Sequence, residues 1–202
     1  MIMKRRLFAL LFCGLFPTMG FGQTVPLKSG IYQSDPAHTN VVWSVTHHGA
    51  SNYIGRFNGI KATLDLNLDQ VQESSVVAEI TVSSVDTNYP LTDKDFDAQV
   101  AGPDILDAKA HPVITFTSTS IEPGPDNTAK ITGDLSFHGV TKEAVLDTKM
   151  NAMINPHPIT KGPVIGFSAK AMIKRSDFGV DFLQGSIGDD VPITIEIEFM
   201  GK

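Results

Sequence analysis

The dominant pattern along the chain is an alternation of apolar and polar positions with a period of two. Val41, Trp43, Val45 and His47 share one parity, while Ser44 and Thr46 occupy the other. Ala62-Thr63-Leu64-Asp65-Leu66-Asn67-Leu68-Asp69 alternates without a break, and Val76, Ala78, Ile80 and Val82 alternate with Glu79, Thr81 and Ser83. Ile114, Phe116 and Ser118 alternate with Thr115, Thr117 and Thr119, and Ile193, Ile195, Ile197 and Phe199 alternate with Thr194, Glu196 and Glu198. Successive side chains of a strand point to opposite faces, so this pattern predicts strands with one buried and one wet face, the antiparallel habit.

Turn residues separate the runs: Asn58-Gly59, the stretch from Glu122 to Asn127 (EPGPDN), and Asn155-Pro156-His157-Pro158. Roughly eight strands result. One segment breaks the pattern. Thr92–Val100 (TDKDFDAQV) begins with a capping Thr92, carries acidic residues in its first turn, places Phe96 and Val100 four apart and stops at Gly102-Pro103, which predicts a helix. A second helical turn is expected at Asp104–Ala108. The fold class is therefore all-β: an eight-stranded antiparallel barrel, whose closure removes exposed sheet edges, with one or two short helices. About eight strands leave room for packed side chains or for one small ligand, and periodicity does not choose between them.

The N-terminus does not belong to this domain. Lys4, Arg5 and Arg6 precede an apolar stretch from Leu7 to Phe16, then Pro17 and the small residues Gly20 and Gly22. This predicts a secretory signal peptide over residues 1–22, cut after Gly22, and an exported domain over residues 23–202. The apolar run is too short for a membrane anchor of about 20 residues. The single cysteine, Cys13, lies in the leader, so disulfides, thiolate metal sites and a cysteine nucleophile are not expected in the exported domain. With 42% hydrophobic and 19% charged residues the chain suits a folded globule, and a formal charge of −6 argues against a nucleic-acid partner.

Candidate chemistry is sparse. His47 and His48 are adjacent on a predicted strand and should face opposite ways, and His38 is ten residues from His48. His111, His138 and His157 are isolated in sequence. No HExxH, HxH, GxSxG, P-loop or GxGxxG pattern occurs, so neither a metal, a cofactor nor a catalytic group is expected. Asp93, Asp95, Asp97, Asp104 and Asp107 read as a solvated face. Arg175 ends a strand, where it pairs with Asp177 or meets an anionic head group.

Several motifs, in order along nearly the whole exported domain, carry a resemblance. DPAHTNVVWSVTHHGASNYIGRFNGIKATL, VSSVDT, GDLSFHGVTK, IKRSDFGV and IGDDVPITIEIE resemble the YceI-like family of bacterial periplasmic proteins. The resemblance implies a lipocalin-like, extended eight-stranded barrel with a long hydrophobic interior. It also implies binding of polyisoprenoids, isoprenoid quinones or other long-chain amphiphiles. Phe96-Asp97 stands where that family shows an Arg-Asp pair, Ile105-Leu106 where it shows two phenylalanines, and Trp43 where it more often shows phenylalanine.

The reading that follows is a non-enzymatic periplasmic protein that binds or transports a long-chain isoprenoid or related lipid, touching membranes transiently to exchange it. A homodimer is compatible with this. Trp43, Val45, His47, Phe57, Ile80, Phe116, Phe137, Phe167 and Arg175 are the candidate ligand contacts, with His47 and Arg175 at the mouth and Arg175 suited to a diphosphate. Two alternatives stand beside it: a secreted interaction module whose barrel is filled, and an accessory of isoprenoid-quinone redox metabolism.

Overall fold

A computed structural model describes residues 26–201. The predicted leader, its cleavage point and Cys13 lie outside the described residues. Ten strands form one antiparallel sheet: β1 Gly30–His47, β2 Ser51–Phe57, β3 Ile60–Leu66, β4 Ser75–Thr81, β5 Val85–Asp86, β6 Val113–Pro123, β7 Thr128–Phe137, β8 Val140–Ile154, β9 Val164–Lys174 and β10 Asp190–Gly201. β2 and β3 run end to end along β1, which pairs with β2 through Val41–His47 and with β3 through Gly30–Gln33. β4 and β5 are likewise continuous, β4 beside β3 and β5 beside β2. Taking each of these pairs as one long strand, the sheet is a closed eight-stranded antiparallel barrel. The closing seam joins β1 to β10, with Val41 opposite Ile195 and Trp43 opposite Ile193.

Asn58-Gly59 is expected as a turn and is instead a kink inside the long strand β2–β3. The kink coincides with the Val82–Ser84 turn between β4 and β5. Asn58 N donates to Ser84 O (3.1 Å), Gly59 N to Ser84 Oγ (2.8 Å) and Thr81 N to Gly59 O (2.8 Å). The two irregularities therefore satisfy each other's backbone groups, which an isolated bend could not do. β3 ends at Leu66, short of the alternation, because Asn67 Oδ1 accepts from the N–H groups of Asp69 and Gln70 (3.1 and 3.0 Å). Local carboxamide bonds of this kind compete with the sheet ladder. The β7–β8 connection is a two-residue turn with positive φ at both His138 (50°) and Gly139 (78°), the hairpin geometry that matches strand twist.

The helical segment is shorter than predicted. α1 spans Phe96–Val100, and its cap is Asp95, whose carboxylate accepts from Ala98 N (2.9 Å), and not Thr92. The stretch after it forms turns, tied by Leu106 N to Val100 O (3.2 Å) and Ala108 N to Ala101 O (2.9 Å), and no second helix. Two buried clusters result. One, at the end of the barrel covered by α1, gathers Val41, Phe57, Val100, Leu106, Phe137 and Phe178. The other, toward the opposite end, gathers Tyr32, Leu64, Ile165 and Phe199.

Register shifts interrupt the β1–β10, β6–β7 and β8–β9 ladders. β1 shifts register against β10 between Ser34 and Thr39, which pushes Asp35–His38 out of the ladder. Asp35 closes that bulge: its carboxylate accepts from Ala37 N (2.9 Å) and meets His38 Nδ1 (2.7 Å), and its carbonyl accepts from Thr39 Oγ1 (2.6 Å). The hydrogen bond with His38 holds the Asp35 carboxyl below its ordinary value, and the same bond, with the Glu198 charge, holds His38 above its own.

The pair thus stabilises the fold only while Asp35 is ionised and His38 protonated. Its contribution is complete between the ordinary values, 3.8 and 6.5, and is lost as pH rises through the raised His38 pKa or falls through the lowered Asp35 pKa. Thermal midpoints of the wild type and His38→Gln, compared at about pH 5.5 and about pH 9, should differ more at the lower pH. The gap should be small, because the pair is exposed. An equal gap at both values would show that the bulge owes nothing to charge.

Candidate ligand-binding site

The barrel encloses a cavity of about 960 Å³ that runs from the α1 end to the opposite loops. This lies at the upper end of the range for ligand pockets, about 300–1,000 Å³. The bore stays open because several inward positions carry alanine: Ala62 on β3, Ala78 on β4, Ala144 on β8, and Ala169 and Ala171 on β9 all face it. Inward alanines were the signal in the sequence that separates a hollow barrel from a filled one.

All nine residues singled out from the sequence line this cavity. Trp43, Val45 and His47 stand on β1, Phe57 on β2, Ile80 on β4, Phe116 on β6, Phe137 on β7 and Phe167 on β9, with Arg175 in the turn just after β9. Two aromatic rings are accommodated by glycines that the sequence reading passed over. A Cβ on Gly55, which faces Trp43 across the β1–β2 pair, would fall 2.2 Å from the indole, and one on Gly133 would fall 2.5 Å from the Phe116 ring. Both rings therefore lie flat over bare backbone of the neighbouring strand. The Trp43 indole nitrogen is buried and has no hydrogen-bond partner among the described residues.

Arg175 differs from what the sequence suggested. It is 6% exposed. Its Nε donates to Gly188 O (2.9 Å), Nη1 to Val180 O (2.8 Å) and Phe182 O (2.9 Å), and Nη2 to Ile187 O (3.0 Å). The guanidinium is the internal anchor of the 175–189 loop. Asp177 is not its partner; that carboxylate takes Lys142 Nζ (2.8 Å).

The mouth at the α1 end is formed by this loop and by residues 87–112, with His47, Tyr53, Phe96 and Gln99 lining the entrance. Phe96, Ile105 and Leu106, which depart from the resembled pattern, all face the cavity. The aspartates here are more than a solvated face: Asp95 caps α1, and Asp97 accepts from Thr87 N (2.8 Å). Beside them Asp86 takes Arg56 Nη2 (2.7 Å) and Nε (3.0 Å), Asn88 N and Asn58 Nδ2, which push its carboxyl down to about 2. Lys94 Nζ sits 4.7 Å from the centre of the Phe96 ring and 5.2 Å from that of Tyr89.

The histidines are less scattered than their sequence positions suggest. His48 is already in the turn with positive φ, so its ring meets that of His47 edge-on at 4.4 Å and does not point to the opposite face. His111 and His138 lie 4.7 Å apart, and His138 Nδ1 is 3.0 Å from Phe178 O. Asp35, His38 and Glu198 also converge, on the outer wall, with donor atoms within 4.8 Å of one another. Such a set could hold a cation, though the His38–Asp35 bond already occupies two of its members. Sequence spacing could not reveal it, because the bulge brings Asp35 and His38 beside the last strand.

Removing the Arg175 guanidinium would leave four loop carbonyls without their donor. Arg175→Met should lower stability by about 3 kcal/mol or more. In a domain of this size that corresponds to a fall in Tm of roughly 6–12 °C, measurable by calorimetry on protein stripped of lipid. A stripped variant that melts with the wild type would show that the loop does not rely on this side chain.

Comparison with known proteins agrees with the fold. The chain is 30% identical over 196 residues to protein YceI of Escherichia coli O17:K52:H18, covering 97% of each. It superposes on Burkholderia cenocepacia BcnA with a TM-score of 0.70, at 25% identity over 82% of this chain and 98% of that one. A polyisoprenoid binding domain from Saccharophagus degradans, implicated in plant cell wall breakdown, shares the fold at 15% identity, with a TM-score of 0.61 over 87% of this chain and all of that one. The YceI-like domain itself is matched from residue 32 to residue 199, from the first strand of the barrel wall to its last, and the chain belongs to the YceI-like family.

Proposed function

We propose that this protein binds a long-chain isoprenoid or a related amphiphilic lipid in its barrel and carries or buffers it in the periplasm. The observation that carries the reading is the cavity: about 960 Å³, continuous through the barrel, and lined almost wholly by aliphatic and aromatic side chains. A chain of methylenes loses about 0.8 kcal/mol of favourable transfer energy per CH₂ when it enters water. A dry cavity offers such a chain an environment close to that of a bilayer, so the two sites can be near balance and exchange is possible. The polyisoprenoid-binding relative of the same fold supports the choice of cargo, and the basic-then-apolar N-terminus supports export. We place the nine lining residues in the binding wall and assign none of them a catalytic role. Transient contact with membranes is part of the same reading, because a water-insoluble cargo has to be collected and delivered there.

The test is mass spectrometry of an organic extract from protein purified without detergent out of its native periplasm. A long-chain lipid at about one per protein is expected; an empty extract, again empty after incubation with membrane lipids, would overturn the reading. Ala171→Trp places bulk in the bore, whereas Thr194→Trp places the same bulk on the outer face of β10. The first should reduce retained lipid several-fold and the second should leave it unchanged. Equal retention in both would show that lipid is not held inside the barrel.

A further inference from the structure

On the outer wall the closing seam is interrupted at one level. Ser34 pairs with Phe199 and Thr39 with Ile197, so the whole β1 segment from Asp35 to His38 stands opposite the single residue Glu198 of β10. An ordinary bulge sets two residues against one. This longer excursion turns the Asp35 and His38 side chains toward the last strand. One imidazole nitrogen and two carboxylate oxygens thereby converge within 4.8 Å of one another, from both sides of the seam.

Two further observations fit a cation at this point. Glu198 is half-buried, yet its carboxylate makes no hydrogen bond or ion pair among the described residues; it acts on His38 only through its charge. Beside it lies a depression of about 330 Å³, bordered by His38, Asn40, Asn151, Gly166, Glu196 and Glu198. The depression exists because β8 shifts register between Met150 and Ala152, and because Gly166 leaves open space where a side chain would stand. Glutamates line it and neither lysine nor arginine does, so it offers a negative field and room for water.

We propose that Asp35, His38 and Glu198 bind one divalent cation of the Zn²⁺ class, which clips β1 to β10 across the seam. Mixed imidazole and carboxylate donors suit Zn²⁺ and its first-row neighbours and do not suit Mg²⁺ or Ca²⁺, which take oxygen ligands. His38 Nδ1 and Asp35 Oδ2 stand 2.7 Å apart around a shared proton. The metal takes the place of that proton, which leaves to solvent. Tetrahedral donors around Zn²⁺ lie about 3.4 Å from one another, so the pair opens slightly and the Glu198 carboxylate closes in. The two carboxylates balance the charge of the ion, and water from the depression completes its shell. All three ligands lie outside the barrel cavity, so the inference does not rest on the lipid-binding reading. It revises the expectation, drawn from motif spacing, that no metal is held. Because only the folded chain brings Asp35 beside Glu198, the ion adds to stability.

The untagged mature chain, stripped with a chelator, is titrated with ZnCl₂ by calorimetry, and its Tm is read with and without the metal. One Zn²⁺ per chain at micromolar affinity is expected, with a Tm raised by several degrees at saturation. Mg²⁺ and Ca²⁺ at the same concentration should leave the Tm where it was. Glu198→Gln removes a carboxylate that the fold does not otherwise bond, and should weaken Zn²⁺ by about tenfold or more and lose most of the Tm rise. His38→Gln should do the same, whereas Glu79→Gln, on the exposed face of β4, should change neither quantity. No Zn²⁺ bound, or Zn²⁺ bound as tightly in Glu198→Gln or His38→Gln as in the wild type, would overturn the site. Ca²⁺ binding as tight as Zn²⁺ would overturn coordination by the imidazole, and the proposal with it.

Discussion

The pairing of β1 with β10 is the constraint on which the rest of the structure depends. Until Val41 meets Ile195 and Trp43 meets Ile193, the sheet has two open edges and its inner face has no common interior. Once they meet, each strand's inward set becomes part of one wall, and the parity read along the chain becomes a statement about cavity and solvent. The last strand shows this most simply: Ile193, Ile195, Ile197 and Phe199 face the bore while Thr194 and Glu196 face water. The site is a property of closure before it is a property of any residue.

Closure alone would permit a filled interior. What keeps the bore open is side-chain size at particular positions: alanines on β3, β4, β8 and β9, and glycines under the Trp43 and Phe116 rings. The buried clusters at either end brace the wall without blocking it. Polar groups are kept out of the middle and collected at the loops, where they have local partners. The molecule therefore separates two kinds of surface: an apolar wall along the bore, and loops at each end that carry the charged groups lining it, Arg175 and Asp126.

Much of this was legible from the sequence, because period-two alternation is dictated by strand geometry and survives in any barrel. The inward positions of Trp43, Val45, Ile80, Phe116 and Phe167 follow from parity. What escaped depends on events that parity does not encode. The register shift between Ser118 and Ser120 moves the inward set of β6 from Ile114 and Phe116 to Ile121. Asn58-Gly59 has turn chemistry, yet it serves as a kink because a neighbouring strand bends at the same level and completes its hydrogen bonds. Arg175 next to Asp177 reads as an ion pair, and only the returning chain supplies the four carbonyls that claim it. The convergence of Glu198 with Asp35 and His38 needs the bulge and the seam together.

The Arg175 anchor has a consequence for how the barrel distributes its stability. A loop sewn together by four hydrogen bonds from a single buried cation does not fray residue by residue; it opens as a unit or not at all. The facing segment, residues 87–112, is tied by separate, mostly exposed bonds such as Asp95 to Ala98 and Asp86 to Asn88. Local opening at that end of the molecule is thus unequal around the rim. Amide hydrogens of the 175–189 loop belong with those of the wall on the slow side of exchange, and those around α1 belong on the fast side.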